Sequence, residues 1–320
     1  MVIIMFLVGF VFLIKGGDWF VEAAAGIARR FRVPEVLIGA TIVSIGTTLP
    51  EVMVSASSAL GGHGEISYGN AIGSVICNTA LIAALSIAVK PVKIDGQTLK
   101  IPVAFFFFAA AVYLLTAYTS GHFARPAGFV LLSVFFVYMA FTIAKAKKQT
   151  THSHPLPMDN EKKGAYKEGL LLIFGAVLIA VGANLLIHNG ILIAQTMGVP
   201  ESVIALTFVA IGTSLPELVT AVTSLVKGHG ALSLGNIIGA NLFNLVLVSG
   251  LSAVLAPFDI PQSMSFAGKN ASLLIDLPVM LLVMAVLTLP VLKRGKLFRA
   301  QGIILLLIYA AFCILQFSAA

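Results

Sequence analysis

Two stretches of this chain place a glutamate directly after a proline within apolar surroundings. They read SIGTTLPE at residues 44–51 and AIGTSLPE at residues 210–217, and we call them the first and second motif. Each supplies a carboxylate, side-chain hydroxyls and backbone carbonyls that the proline leaves without a helical N–H partner. These are hard oxygen ligands, the set that Ca²⁺ and Na⁺ bind in proteins. The motifs therefore predict cation binding.

The carboxylates of Glu51 and Glu217 set the charge of this candidate site. An ionised carboxylate near the centre of a bilayer costs about 2.5–3.5 kcal/mol on insertion scales. Two that face each other also repel, and one would take up a proton unless a cation lay between them. Because a divalent ion cancels both charges, we expect each motif to provide half of one site. The hydroxyl ligands expected beside the carboxylates are those of Thr47, Thr48, Thr213 and Ser214.

The composition is that of a membrane protein: 59% of the 320 residues are hydrophobic and 10% are charged, against about 45–50% and 25% in soluble domains. Apolar runs long enough to cross a bilayer recur along the chain. We predict an all-α membrane protein with ten transmembrane helices at residues 2–28, 34–60, 67–89, 101–119, 126–146, 168–195, 200–226, 231–256, 270–291 and 300–318.

The sequence contains an internal repeat. A shift of 166 residues aligns residues 33–78 with 199–244 without a gap and with 22 identities in 46 positions. The lysine-rich stretch 145–167 separates a first half, 1–144, from a second half, 168–320, and is interpreted as a linker. Five spans precede it, so the two five-helix repeats are predicted to have inverted topology, which is typical of secondary transporters.

The basic residues predict the orientation. With the N-terminus outside, seventeen of the twenty Lys and Arg residues fall in inner loops; Arg125 and Lys269 fall in outer loops, and Lys15 lies within the first span. This asymmetry follows the positive-inside rule, so both termini are predicted outside and the linker in the cytoplasm. The net charge of +7 therefore orients helices and does not indicate a nucleic-acid partner. The expected partners are the bilayer and the ions, with no cofactor.

The third and eighth predicted spans carry a second matched pair of segments. These are GNAIGSVICN at 69–78 and GNIIGANLFN at 235–244, whose glycines have the small-xxx-small spacing that lets helices approach closely. Ser74 and Asn78 lie four residues apart, hence on one helix face, and could extend toward Glu51. Asn244 holds the place of Asn78, and we favour ion contact for both asparagines.

With these residues in view, the chain resembles the calcium/cation antiporter superfamily in its prokaryotic sodium/calcium-exchanger branch. The resemblance rests on the segments GTTLPEVMVSASS…GNAIGSVICN and GTSLPELVTAVTS…GNIIGANLFN and on the ten-helix layout. The proton-coupled branch typically reads GNAAE where this chain has TLPE, and so fits less well.

The resemblance implies exchange of Ca²⁺ for Na⁺ by alternating access, with four cation sites between the second, third, seventh and eighth helices. The first and sixth helices would slide past them. The residues that it implies as ligands are Glu51, Glu217, Thr47 and Thr213 for calcium, Thr48, Ser74 and Ser214 for sodium, Asn78 near the centre, and the backbone carbonyls of Ser44 and Ala210. The implied location is the inner cell membrane, and the chain is expected to function as a monomer.

Two departures from the family pattern leave the counter-ion open. Related archaeal exchangers commonly carry an aspartate where this chain has Asn244 and a serine where it has Ala240. Two glutamates still balance one calcium ion, but the sodium stoichiometry and the choice between Na⁺ and H⁺ stay undecided. Potassium-dependent exchange is a weaker alternative.

Further acids lie in the predicted spans outside the two motifs. Lys15, Asp18 and Glu22 share one face of the first helix and are interpreted as a mutually neutralising cluster, with a gating role as the alternative. Asp276 stands alone in the ninth span, as a proton carrier or as a hydrogen-bonded packing acid.

Two other classes of protein fit the sequence less well. An intramembrane enzyme with paired carboxylates is disfavoured because no Ser–His or HExxH arrangement is present and because the duplicated acids suit alternating access better. A channel would need a continuous water path, and saturable flux that depends on a counter-ion would exclude it.

Replacing Asn244 with aspartate is expected to strengthen or alter sodium coupling, because it returns a third carboxylate to the middle of the site. The measurement is calcium flux into vesicles as a function of sodium concentration. Unchanged sodium dependence would show that position 244 takes no part in coupling.

Overall fold

A computed structural model describes residues 1–151, 158–197, 212–262, 265–266 and 269–319. The helices, in chain order, are α1 Val2–Arg30, α2 Glu35–Ile38, α3 Ser44–Leu60, α4 Gly64–Cys77, α5 Ala84–Val89, α6 Gly96–Thr119, α7 Arg125–Thr151, α8 Met158–Thr196, α9 Leu215–Val226, α10 Gly230–Phe243, α11 Ser249–Leu255, α12 Leu277–Arg294 and α13 Arg299–Ala319. The described chain is thus all-α, apart from four two-residue strands: β1 His122–Phe123, β2 Phe258–Asp259, β3 Ser265–Phe266 and β4 Lys269–Asn270.

Nine helical segments of the described residues are long and apolar enough to cross a membrane. They are Val2–Arg30, Glu35–Leu60, Gly64–Val89, Gly96–Thr119, Arg125–Ala146, Gly164–Ile193, Gly230–Leu255, Ser272–Arg294 and Arg299–Gln316. They coincide with nine of the ten predicted spans to within a few residues, except that the sixth begins earlier. Of the predicted seventh span, 200–226, the part 200–211 lies outside the described residues, and the rest contains the shorter apolar helix Leu215–Val226. The count of ten and the inverted topology stay predictions.

Within the described residues, four π-helical turns interrupt these spans: π1 Gly39–Val43, π2 Asn78–Ala83, π3 Asn244–Val248 and π4 Ser272–Asp276. A π-helical turn inserts one extra residue into a helix and is frequent at functional sites. The turns π2 and π3 begin at Asn78 and Asn244, which are related by the 166-residue shift. Each repeat therefore has the same irregularity at the same asparagine.

The described residues form two compact units, each built from both halves of the sequence. Unit 1 contains residues 1–47 and 145–236, and unit 2 contains 48–144 and 237–320. The predicted linker, 145–167, is largely helical in its described part, because α7 continues to Thr151 and α8 begins at Met158.

In unit 1, α1 and α8 pack against each other through glycines. A Cβ added at Gly9 would lie 2.9 Å from the Gly182 carbonyl oxygen, and one added at Gly16 would lie 2.9 Å from that of Gly175. Gly9 and Gly16 correspond to Gly175 and Gly182 under the 166-residue shift, so the two contacts are reciprocal. Since only hydrogen fits between the backbones, the helices approach more closely than larger residues would allow.

In unit 2, buried aromatic rings pack between α6, α7, α10 and the β1–β2 pair. The ring centroids of Tyr113 and Phe123 are 4.5 Å apart, and Phe123 stacks on Phe258 at 5.1 Å. Tyr138 and Phe243 meet edge to face at 6.0 Å. These contacts bury large apolar surfaces and hold the span that carries Asn244.

The glycine spacing of the eighth span brings two backbones close together. A Cβ at Gly235 would collide with the backbone carbonyl of Val36, so the predicted close approach is confirmed there. At Gly69 and Gly73 no atom of the described residues lies within 4 Å of an added Cβ. The repeat counterpart of Val36, residue 202, lies outside the described residues, so the close approach in the first half stays a prediction.

Replacing Gly235 with alanine is expected to destabilise the protein, because backbone atoms that cannot rotate aside oppose the added methyl group; overpacking of this kind costs about 1–3 kcal/mol. The control is Gly61→Ala, where an added Cβ meets its nearest atoms at 3.4 Å, an ordinary contact distance. Thermal unfolding of the two purified variants in detergent measures the difference. Equal melting temperatures would contradict the close contact at Gly235.

Candidate cation-binding site

The first motif lies at the start of α3, directly after π1. The polar side chains of Ser44, Thr47, Thr48 and Glu51 are all buried, with at most 2% of each residue exposed. The sequence predicted irregular backbone at Pro50, but α3 runs through Pro50 without interruption, and the irregular segment is π1, which ends one residue before Ser44. This prediction was wrong in position. One lost hydrogen bond at Pro50 did not break a helix that has further turns on both sides.

The hydroxyl of Ser44 serves the irregular backbone of π1. It lies 2.7 Å from the Gly39 carbonyl oxygen and 2.9 Å from that of Asn236, and its single proton can be donated to one of them at a time. The same pattern recurs at π3, where the Ser249 hydroxyl donates to the Asn244 carbonyl at 3.1 Å. In both cases a serine five residues on from the first residue of the turn satisfies its carbonyl.

Thr47 connects the first motif to α10 and to the second motif within unit 1. Its hydroxyl lies 3.2 Å from the side-chain oxygen of Asn236 and 3.5 Å from the Ser44 carbonyl oxygen, and its single proton can be donated to one of them at a time. Its side chain also neighbours the Glu217 carboxylate. When the proton is donated to either acceptor, lone pairs of the hydroxyl oxygen stay available, so Thr47 is a candidate cation ligand.

The second motif forms a turn followed by a helix. Its residues 210 and 211 lie outside the described residues, so the predicted ligand Ala210 cannot be placed. Thr213 is half-buried, Ser214 is buried at the N-cap of α9, and Pro216 lies in the first turn, where a missing N–H costs nothing. Here, unlike at Pro50, the helix does begin at the motif.

Glu217 is fully buried in the first turn of α9. Its own backbone N–H and the Thr47 side chain lie nearby, but no group of the described residues meets hydrogen-bonding geometry with either carboxylate oxygen. None of the ion pairs found among the described residues includes it. The helix N-terminus offers partial positive charge only. A bound cation would supply the missing charge.

Unit 2 contains the other predicted ligands. Glu51 is fully buried on α3, and Ser74 is buried on α4. Asn78 and Asn244 are fully buried, and the amide groups of both have no hydrogen-bond partner among the described residues. Ala240, which replaces the hydroxyl of Ser74, is also buried. Buried amides without partners cost about 1–3 kcal/mol each, so these side chains are candidates for ion contact.

Asn236 and its counterpart Asn70 are polar residues that the sequence analysis passed over. The Asn70 side chain donates to the Glu51 backbone carbonyl at 3.2 Å and to the Ser55 hydroxyl at 2.8 Å. Both asparagines thus hold parts of the first motif. The sequence did contain a signal for both residues, because Asn70 and Asn236 are matched in the repeat. The two GN segments were interpreted through their glycines alone.

The acids of α1 have a different partner from the one expected. Asp18 and Glu22 pair with Lys227, at the end of α9, at 3.4 and 3.6 Å, and Lys227 also donates to the Asp18 carbonyl at 3.0 Å. The cation expected there was Lys15, but none of the ion pairs among the described residues includes it, and Lys227 takes that place. Within the described ranges, no three His, Cys, Asp or Glu side chains group as a metal site.

Comparison with known proteins assigns the family. The sodium/calcium exchanger protein family matches residues 1–144 and 167–318. The chain belongs to the sodium/calcium exchanger family. It is therefore an integral membrane protein of a transporter family, and the match supports exchange of calcium and other cations. The unmatched segment between the two ranges falls within the lysine-rich stretch.

Individual relatives of this exchanger agree with the assignment. It is 29% identical to the sodium/calcium exchanger MaX1 of Methanosarcina acetivorans over 98% of both chains. It is 34% identical to the inner membrane protein YrbG of Escherichia coli over 80% of both chains. A solved structure of the sodium-calcium exchanger NCX_Mj superposes with a TM-score of 0.79 at 31% identity, covering 97% of this chain and 98% of the other. The fold is therefore that of NCX_Mj.

Replacing Asn236 with alanine in this exchanger is expected to weaken calcium binding as well as stability. The Thr47 hydroxyl loses the nearer of its two acceptors, which costs about 1–3 kcal/mol and holds its proton less firmly away from the ion. Tracer calcium binding and thermal unfolding of the purified protein measure the two effects. The control is Asn189→Ala, since Asn189 is a buried asparagine that bonds only to the Leu185 carbonyl of its own helix, at 2.7 Å, in the described structure. Equal calcium affinity in the two variants would contradict this role.

Proposed function

We propose that this exchanger moves Ca²⁺ across the membrane in exchange for Na⁺ by alternating access, and that oxygen atoms of both motifs bind the transported ions. The observation that carries the proposal is the fully buried carboxylate of Glu217, which has no ion pair among the described residues. A buried acid without a counter-charge is expensive in a membrane protein and marks an ion pathway.

The polar groups around the two glutamates support the choice of calcium. Glu51, the repeat counterpart of Glu217, is equally buried, and two carboxylates together balance one divalent ion. The remaining groups are hydroxyls, amides and carbonyls, which complete the coordination of Ca²⁺ or Na⁺ without adding charge. We assign Thr47 and Thr213 to calcium, Thr48, Ser74 and Ser214 to sodium, Asn78 and Asn244 to the centre, and the backbone carbonyls of Ser44 and Ala210 to further contacts.

The packing of α1 on α8 supports alternating access. Both helices have glycines at the crossing, and the contacts between Gly9 and Gly182 and between Gly16 and Gly175 are reciprocal. A crossing this close holds the two helices to each other, so they can move as one pair. We propose that this pair moves during exchange, and that the chain works as a monomer in the inner cell membrane with both termini outside and residues 145–167 in the cytoplasm.

Proton-coupled exchange is the second candidate. The neutral side chains of Asn244 and Ala240 leave the site with two acids, and these acids could themselves take up protons when calcium leaves. Potassium-dependent exchange has less support. Calcium uptake into vesicles under separately imposed sodium and proton gradients distinguishes the coupling ions.

We expect a sodium gradient at constant pH to drive calcium uptake by the wild-type protein, and the variants Glu51→Gln and Glu217→Gln each to reduce it at least a hundredfold. One carboxylate cannot neutralise a divalent ion, and a loss of about 3 kcal/mol corresponds to that factor. The control is Glu65→Gln, which changes an exposed glutamate of α4. Uptake by either motif variant at the wild-type rate would refute the site, and no response of the wild type to sodium would refute sodium coupling.

A further inference from the structure

Asp276 is an acid in a membrane span that belongs to neither motif. It ends π4, at the beginning of the apolar segment Ser272–Arg294. The 166-residue shift places Ala110 at the equivalent position of the first half, so this acid has no counterpart in the repeat. The proposed exchange mechanism does not use it.

The groups that face the Asp276 carboxylate are neutral. The Gln316 side-chain amide of α13 donates to it at 2.5 Å, and the Ser272 hydroxyl of π4 lies beside it. None of the ion pairs among the described residues includes Asp276. Such a carboxylate in a span must either bind a proton or attract a cation.

The elements that pack against π4 and α12 bring further titratable groups. From α4 comes Tyr68, and from α6 come Tyr113 and Tyr118, of which Tyr118 donates to the Leu273 carbonyl at 2.5 Å. On α13, Tyr309 and Cys313 lie against Cys77. The side chain of Lys269, on β4, is outside the described part of the chain.

A row of buried hydroxyls leads from Asp276 to Asn244, and we call it the hydroxyl chain: Ser272, Tyr68, Tyr113 and Ser249. Ser272 neighbours both the Asp276 carboxylate and Tyr68. The rings of Tyr68 and Tyr113 are 6.4 Å apart, and Tyr113 neighbours Ser249. Ser249 donates to the Asn244 carbonyl at 3.1 Å. All six residues belong to unit 2.

The hydroxyls of Tyr68 and Tyr113 are buried but complete no hydrogen bond among the described residues. Two such hydroxyls in an apolar core are costly, and packing alone would favour phenylalanine at both positions. If Asp276 were only a packing acid, Gln316 and Ser272 would be sufficient partners. A packing role therefore does not explain why the hydroxyl chain continues to Asn244, the first residue of π3.

We propose that Asp276 is a proton-binding site coupled through the hydroxyl chain to cation occupancy at Asn244. The carboxylate takes one proton from water when the cation leaves and returns it to water when the cation binds; no other bond is made or broken. The ionised acid adds negative potential, and the Tyr68 and Tyr113 hydroxyls, which complete no hydrogen bond among the described residues, can turn their dipoles to transmit it toward Asn244. A cation there therefore favours release of the proton. By linkage, protonation weakens calcium binding by the same factor. This inference rests on the proposed function and supplies it with a second proton-binding group.

The test is the number of protons released when calcium is added to purified protein in weakly buffered detergent solution, over a series of pH values. We expect the maximum release to fall by up to about one proton per calcium in Asp276→Asn. The calcium affinity of Asp276→Asn should also depend less steeply on pH than that of the wild type. The difference is up to about tenfold per pH unit, since each displaced proton contributes that factor. Tyr113→Phe, which keeps the acid and breaks the hydroxyl chain, should lower the release as well.

Tyr138→Phe is the matched control, because it removes another buried tyrosine hydroxyl, one that neighbours Thr142 on α7. It should leave proton release unchanged. Release by Asp276→Asn equal to that of the wild type overturns the proposal, and so does an equal loss in Tyr138→Phe. If the wild type binds no calcium, the proposed function fails instead. The infrared absorption of a protonated carboxylic acid then decides whether Asp276 binds a proton. A band that titrates with pH in the wild type and vanishes in Asp276→Asn supports the proton site. Absence of this band in the wild type rejects the site.

Discussion

The neutralisation of buried carboxylates is the constraint on which this protein depends. Glu51 and Glu217 are fully buried, and a carboxylate in a medium of low dielectric constant is tolerated only with a proton or a cation. A permanent lysine or arginine partner would neutralise such a charge irreversibly. In the proposed mechanism, a transported ion neutralises the acids and can still leave, which is what exchange requires. The neutral hydroxyls and amides of the candidate site follow from this constraint, because they bind ions without adding charge.

Irregular helices are the structural response to that constraint. A regular helix uses its carbonyl and N–H groups internally, so it offers an ion nothing but side chains. The turns π1, π2 and π3 and the start of α9 at the second motif loosen this pattern at the polar residues. Ser44 and Ser249 then satisfy the carbonyls of Gly39 and Asn244. The turn π4 ends at Asp276. Each π-helical turn of the described residues therefore contains or directly precedes a polar residue, of a kind that apolar spans otherwise avoid.

The periodic and compositional features of the sequence predicted much of the fold. Nine spans agree because twenty apolar residues in a bilayer leave the backbone little choice but a helix. Local details depend on partners far away in the chain. The close approach at Gly235 requires the backbone of Val36, which is distant in the sequence. Pro50 and Pro216 have the same neighbours, but one lies within a helix and the other at a helix start.

The sequence by itself determined the membrane class, the repeat, the family and the pair of buried acids, because apolar length and matched polar residues are properties of the chain alone. Only the tertiary structure decided which polar groups hold those residues in place. Asn236 lies 189 residues from Thr47 and yet accepts its proton, and Lys227 reaches Asp18 from another helix. Hydrogen bonds act over about 3 Å in space, whatever the separation along the chain, so no local pattern specifies them.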